Sequence, residues 1–165
     1  MDKLTESIDA TFDIGIRIAS EEEPKFEFYT SRLGIGYKDI IPYYSQKIAE
    51  HPNARLKMLH FFINTGIKDT SYYWNELFKC LRVYARLKKI APEVDSLNIG
   101  GGFPIKSSLQ FDYDYEYMVG EIVYQIKKFC EEEGVEEPNI YKEFGSFTVG
   151  ESAGNVYQII SQKGE

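Results

Sequence analysis

The chain has little of what a secreted, membrane or nucleic-acid-binding protein needs. Its 165 residues include only two cysteines and an excess of acidic over basic side chains, 26 to 19. The net charge of −7 disfavours nucleic acids and anionic membranes, since both need basic patches. Its apolar runs have the length of strands, far below the roughly 20 residues of a membrane span, and residues 1–6 form no apolar signal core. We therefore predict a cytoplasmic protein with no membrane or nucleic-acid partner.

The two cysteines do not suggest a metal site. Cys80 and Cys130 fall on different predicted helices and lack metal-type spacing. We interpret them as reduced thiols in the core of the protein. The hydrophobic content of 43% is ordinary for a soluble protein, and the length suits one domain with a real core.

What the sequence does contain is an alternation of strand-like and amphipathic helical segments. Strands are predicted at 12–18, 54–62, 96–99, 139–143 and 156–160, and helices from about 39, from 70 or 71, and over 114–133. The last helix is expected to bury Val119, Ile122, Val123, Ile126, Phe129 and Cys130. The fold class predicted is α/β, with consecutive βα units of a parallel sheet. A closed eight-stranded barrel takes roughly 200 residues or more, so the sheet is either small and open or about half a barrel.

The predicted strands end on residues suited to chemistry. Arg17, His60 and Glu143 close three of them, and the strand at 96–99 runs into Gly100-Gly101-Gly102. The carboxyl ends of parallel strands meet at one rim, where α/β proteins bind ligands. An imidazole, a carboxylate, a guanidinium and a backbone cradle for phosphate are therefore expected to face one site.

Each of these residues also has a purely structural interpretation. The glycines can supply positive φ in a tight turn instead of forming an anion nest. His60 on an apolar strand can be a core residue. Glu143 closes what reads as a buried strand, where a carboxylate needs a cation, and Arg17 is the obvious partner for a salt bridge. Ser146 can cap a turn.

Read together, these segments resemble a known family. The chain resembles the fold type III pyridoxal-phosphate decarboxylases, the alanine-racemase-like barrel group containing ornithine, diaminopimelate and arginine decarboxylases, over about residues 12–160. The similarity lies in the glycine-rich loop and its strand (97–104), the stretch 143–147, the pair 15–18 and 31–34, and His60 at a strand end. Residues 56–66 and 143–152 are most similar to bacterial arginine decarboxylases.

The resemblance implies a fold, a cofactor and residue roles. The fold would be about half of a pyridoxal 5′-phosphate (PLP)-binding TIM barrel. Glu143 would pair with the protonated pyridine nitrogen and His60 would stack on the ring, which makes these two the catalytic residues. Arg17 would sit behind the site and hold a carboxylate in place. The phosphate would be bound by Gly100, Gly101, Gly102, Gly145 and Ser146. The substrate would be a small basic amino acid, decarboxylated in polyamine biosynthesis.

Departures from the family pattern carry their own expectations. Ser146 stands where the family has arginine, and no residue matches the lysine that links the family's cofactor. The first barrel half and the C-terminal β-domain are expected to be absent, so that residues 1–165 are a partial barrel without activity alone. Two unpaired sheet edges would favour a homo-oligomer. The alternatives are a non-catalytic phosphate- or PLP-binding α/β module and a purely structural βα domain.

Overall fold

Five parallel strands form one sheet, in the order β2-β1-β3-β4-β5. The computed structural model describes residues 10–19, 33–63, 66–105, 112–149 and 156. The strands are β1 Phe12–Ala19, β2 Ile35–Gly36, β3 Ala54–Phe61, β4 Ser96–Asn98 and β5 Asn139–Tyr141. Because all five run in the same direction, their carboxyl ends lie along one rim of the sheet.

Helices connect the strands and cover one face. They are α1 Ile40–Tyr43, which continues as a π-helical turn Tyr44–Ile48, then α2 Ser71–Ile90, α3 Tyr115–Glu133 and the short α4 Gly145–Val149. The Thr70 hydroxyl accepts a hydrogen bond from the Tyr73 amide at the start of α2. Asp114 caps α3 in the same way through the Tyr117 amide. Both caps satisfy backbone N–H groups that a helix start leaves without partners.

The core lies between the sheet and the helices. Along β1 the buried side chains alternate, with Ile16 and Ile18 buried and Arg17 on the opposite face. This period of two separates an apolar face toward the helices from a face that carries polar side chains. The fully or nearly fully buried members of the core include Ile18, Leu56, Leu59, Leu77, Leu81, Tyr84, Leu97, Ile122 and Cys130.

The exposed side of α3 corrects one expectation. Val119 and Val123 were predicted to be buried, but they are 45% and 46% exposed. The buried stripe of α3 instead runs at a spacing of four, through Met118, Ile122, Ile126 and Cys130. A residue one position further along lies about 100° around the helix. Val119 and Val123 therefore face an open groove of about 230 Å³ rather than the core.

The edge strand β5 is a second difference. The strand at 139–143 was expected to be buried, yet all three residues of β5 are exposed. Within the described part of the chain β5 pairs only with β4, so one side of it has no strand neighbour. The strand expected at 156–160 lies outside the described residues except for Val156.

Cys80 and Cys130 are free and buried, as predicted. Among the described residues, no helix is long and apolar enough to cross a membrane. The same part of the chain holds no cluster of three or more His, Cys, Asp or Glu arranged to bind a metal.

Candidate functional site

Strand register brings three polar side chains to one face of the sheet. Arg17 on β1 pairs with His60 on β3, and His60 pairs with Asn98 on β4. Residues paired across parallel strands point to the same face, which here is the face away from the helices. Glu143 follows β5 by two residues and completes the row.

His60 and Glu143 lie next to each other. The His60 Nε2 atom is 3.7 Å from the Glu143 Oε1 atom, and their side chains are 22% and 52% exposed. Burial is the main reason why the pKa of His60 lies below its usual range; Glu143 opposes that shift and Arg17 adds to it. The imidazole is therefore neutral at neutral pH, and its Nε2 is a buried atom without a hydrogen-bond partner among the described residues.

The glycine loop contacts Glu143 directly. A Cβ placed on Gly101 would lie 3.8 Å from the Glu143 Cβ. Gly100 and Gly102 have φ of 68° and 98°, and a Cβ on Gly100 would come within 2.6 Å of the Phe61 carbonyl oxygen. The turn interpretation therefore holds for these two positions, which tolerate no side chain.

The backbone groups of the loop are used unequally. The Gly100 amide donates to Asn98 Oδ1 at 2.8 Å, and the Gly102 carbonyl accepts from the Ile67 amide at 2.8 Å. Within the described ranges, the amides of Gly101 and Gly102 donate to no protein group. Two adjacent N–H groups are thus available to an anion, while the third of the glycine run is not.

Arg17 has a different neighbour from the one expected. Its guanidinium carbon lies 5.7 Å from the centre of the Phe62 ring. It makes no ion pair with any carboxylate in the described part of the chain, and Nε is buried without a hydrogen bond there. The described residues therefore form no Arg17–Glu143 salt bridge, and this structural alternative is wrong. The Glu143 carboxylate accepts a hydrogen bond from Asn98 instead.

Gly145 and Ser146 lie in the first turn of α4, and both are exposed. The residue before them, Phe144, stacks on Phe103 with ring centres 5.6 Å apart and planes at 18°. Since Phe103 directly follows Gly102, this stack holds the start of α4 beside the glycine loop.

Two residues of the site were missed in the sequence. Asn98 joins Glu143 to the loop, through Nδ2 to Glu143 Oε1 at 3.0 Å and Oδ1 to the Gly100 amide. Lys142 donates from Nζ to the Gly100 carbonyl and lies 4.6 Å from the centre of the Phe103 ring. Their positions in the sequence could have identified them. Asn98 is the last residue of β4 before the glycines, and Lys142 directly precedes Glu143.

The sequence profile described as "Pyridoxal-dependent decarboxylase, pyridoxal binding domain" matches residues 1–150 of the chain. The chain belongs to this family. Curated relatives are bacterial biosynthetic arginine decarboxylases. The protein of Geotalea uraniireducens is 37% identical over 101 residues, 57% of this chain and 16% of the relative. That of Rhodopirellula baltica is 22% identical over 156 residues, 84% of this chain and 23% of the relative.

Solved decarboxylases share the fold. The biosynthetic arginine decarboxylase of Campylobacter jejuni matches with a TM-score of 0.65 and 21% identity over 88% of this chain and 25% of its own. The diaminopimelate decarboxylase of M. jannaschii matches with a TM-score of 0.69 and 21% identity over 86% of this chain and 34% of its own. The structure of SrLDC with PLP and cadaverine matches with a TM-score of 0.65 and 18% identity over 88% of this chain and 34% of its own.

The family assigned from the motifs is thereby confirmed. The predicted fold, consecutive βα units forming part of a PLP-binding barrel, is confirmed as well. The chain spans about a sixth to a quarter of the curated relatives and about a quarter to a third of the solved ones.

Proposed function

We propose that this member of the pyridoxal-dependent decarboxylase family binds PLP and contributes that cofactor site to the decarboxylation of a small basic amino acid. Arginine is the first candidate substrate, and polyamine biosynthesis the corresponding role. The arginine decarboxylases among its relatives support this choice. The observation that carries the proposal is the meeting of His60, Glu143 and the glycine loop at one rim, with 3.7 Å between imidazole and carboxylate.

The donor set fits PLP, an anionic ligand with a flat aromatic ring. The amides of Gly101 and Gly102 suit the phosphate, since adjacent backbone N–H groups form an anion nest. Gly145 and Ser146 at the start of α4 would extend that nest, and Gly100 would hold it through its positive φ. Buried polar atoms without a partner, such as His60 Nε2, are expected where a ligand belongs.

Glu143 would accept a hydrogen bond from the protonated ring nitrogen. When bound, the cofactor supplies the electron sink for the bond that breaks at the substrate's α-carbon, and a positive ring strengthens that sink. A carboxylate favours the protonated form of a nearby nitrogen, so Glu143 would keep the proton in place. The Glu143 side chain is half-exposed, and its hydrogen bond from Asn98 uses Oε1, so Oε2 would serve the ligand.

His60 would pack on the ring face, and Arg17 would lie behind it. A neutral imidazole stacks on a positively charged ring without repulsion, and the pKa of His60 is lowered by burial in this direction. The Arg17 guanidinium lies over Phe62, and its buried Nε, which has no hydrogen-bond partner among the described residues, would bind a carboxylate in the completed site.

We further propose that these 165 residues are a partial barrel. The first barrel half, the C-terminal β-domain and the lysine that links the family's cofactor would come from sequence outside the chain. The chain alone is then expected to release no carbon dioxide from arginine in the presence of PLP. Measurable release under these conditions would contradict this part of the proposal.

Within the described ranges one edge of β5 has no strand neighbour, and this supports a homo-oligomer, because unpaired strand edges invite pairing with another chain. Sedimentation velocity tests this directly, with a single monomeric species as the contrary result. A net charge of −7 disfavours a nucleic-acid partner, and the biosynthetic enzymes among its relatives suit a cytoplasmic protein.

Isothermal titration with PLP and with inorganic phosphate tests the cofactor site. Glu143→Gln removes the acid and keeps the shape, so PLP binding should weaken about 10- to 100-fold, the range for hydrogen bonds to charged groups. Phosphate binding should not change. The matched control is Glu137→Gln, which changes an exposed residue just before the amino end of β5. It should leave the binding of PLP and of phosphate unchanged.

The alternative is a non-catalytic phosphate-binding module. The two unused amides of the glycine loop favour it equally, since they recognise phosphate without regard to a ring. It predicts that Glu143→Gln binds PLP as the wild type does, and that outcome would displace the decarboxylase proposal.

A further inference from the structure

Asn98 connects two groups of the candidate site. Its Nδ2 donates to the Glu143 carboxylate at 3.0 Å, and its Oδ1 accepts from the Gly100 amide at 2.8 Å. The two contacts use opposite ends of one side-chain amide, which alone among short side chains offers a donor and an acceptor in one plane. Rotation of the amide would break both contacts together.

Asn98, Gly100 and Glu143 form a closed cycle of hydrogen bonds. The Gly100 carbonyl accepts from the Glu143 amide at 3.1 Å, and Lys142 Nζ donates to the same carbonyl. Glu143 is therefore tied to Gly100 twice, through its backbone directly and through its carboxylate by way of Asn98. A shift of the loop has to move the carboxylate with it.

This cycle of hydrogen bonds matters because the Glu143 side chain would otherwise be loosely held. Its side chain is 52% exposed, and a long exposed side chain samples several rotamers. Among the described residues the other polar group near its Oε1 is His60 Nε2 at 3.7 Å, which is beyond hydrogen-bond distance. In the part of the chain that the structure describes, Asn98 thus supplies the one side-chain hydrogen bond that orients the carboxylate.

We propose that Asn98 is a positioning residue that sets the Glu143 carboxylate relative to the Gly101 and Gly102 amides. This inference rests on the proposed function. Its consequence is selectivity for a rigid ligand that carries a ring nitrogen and a phosphate at a fixed separation. A ligand with phosphate alone would not depend on it.

A ligand-free experiment tests the contact. Asn98→Asp keeps the acceptor for Gly100 and places a second carboxylate against Glu143. Two adjacent carboxylates disfavour double ionisation, so the pKa of the introduced carboxyl should fall by about one unit or more when Glu143→Gln is added. Carbon NMR titration measures it. Asn139→Asp is the matched control, because residue 139 lies at the amino end of β5. The pKa of its introduced carboxyl should not change when Glu143→Gln is added. An equal lack of response at position 98 overturns the proposal.

A binding experiment tests the role. PLP and inorganic phosphate are titrated into the wild type, Asn98→Ala, Glu143→Gln and the double variant. Asn98→Ala should weaken PLP about tenfold, add little to Glu143→Gln, and change phosphate binding by less than about twofold. Such non-additivity is the signature of two residues that act as one unit.

A merely structural role gives a different pattern. If Asn98 only supports the loop, Asn98→Ala weakens PLP and phosphate by the same factor and adds fully to Glu143→Gln, which overturns the positioning role while leaving the proposed function intact. If the wild type binds phosphate but not PLP, the proposed function fails and the role of Asn98 fails with it. The NMR titration still reports the contact in that case, so the two failures are distinguishable.

Discussion

At the scale of single residues, the protonation of His60 has a measurable effect on stability. Its pKa is lowered in the folded protein, mainly by burial, so the unfolded chain binds the proton more readily. The stability that His60 contributes is then present above its unfolded pKa of about 6.5 and is lost as the pH falls through the lowered value. The wild type should lose more stability than His60→Gln between about pH 7.5 and 5. Urea unfolding at both pH values measures this, and parallel losses would be the contrary result.

The lowered pKa of Lys142 predicts a second pH range in which stability changes. Burial lowers its pKa to about 8, and the neighbouring Glu143 opposes that shift. Between this value and the unfolded pKa of about 10.4 the unfolded state holds more protons, so stability relative to Lys142→Met should rise with pH across that interval. Urea unfolding measures that rise. Removing the opposing charge in Glu143→Gln should lower the pKa of Lys142 further, as read by carbon NMR of its side chain. A pKa that stays near 10.4 in the wild type contradicts the burial of its ammonium.

The sequence shows some members of the site and hides others. His60, Glu143 and the glycines stand out because each is chemically distinctive at a strand end, and the structure brings them together. Asn98 gives no such signal, because its link to Glu143 is a hydrogen bond that exists only after β4 and β5 pair.

At the scale of elements, the start of α2 depends on one hydroxyl. The Thr70 Oγ1 atom accepts from the Tyr73 amide at 3.3 Å, whereas Ser71 is the first helical residue. Thr70→Ala should cost about 1 kcal/mol of stability, the usual value for a lost helix cap. Ser71→Ala is the matched control and should cost less. Equal losses in thermal or urea unfolding would show that the cap contributes nothing.

Long amphipathic elements could be predicted, and the two-residue strand β2 could not. The spacing of apolar residues locates the start of α2 and both ends of α3 within a residue of their observed positions. No strand was predicted between residues 18 and 54, but Ile35 and Gly36 pair with the end of β1. A two-residue strand has no periodicity to detect, since tertiary pairing alone creates it.

At the scale of the whole molecule, stability rests on the layer between sheet and helices. Leu97 of β4 is fully buried in this layer, while Val123 of α3 is 46% exposed. Leu97→Ala should cost about 2–5 kcal/mol, because it removes buried apolar contacts and leaves a cavity. Val123→Ala should cost well under half of that. Similar losses from the two variants in urea unfolding would contradict the assignment of the core.

The same layering explains why the site lies where it does. The helices occupy one face of the sheet, so polar strand residues are left on the other, and parallel pairing aligns them at one rim. This much follows from alternation along the sequence. The exposure of β5 does not, since it depends on β5 being the edge strand of the described sheet, which tertiary pairing alone determines.

Nitrogen NMR of ring-labelled PLP bound to the chain tests the central claim most directly, because it reads the group that Glu143 is proposed to hold. We expect a protonated ring nitrogen at neutral pH in the wild type, and a shift toward the unprotonated position in Glu143→Gln. An unprotonated nitrogen in the wild type, or identical signals from the two proteins, would contradict the account.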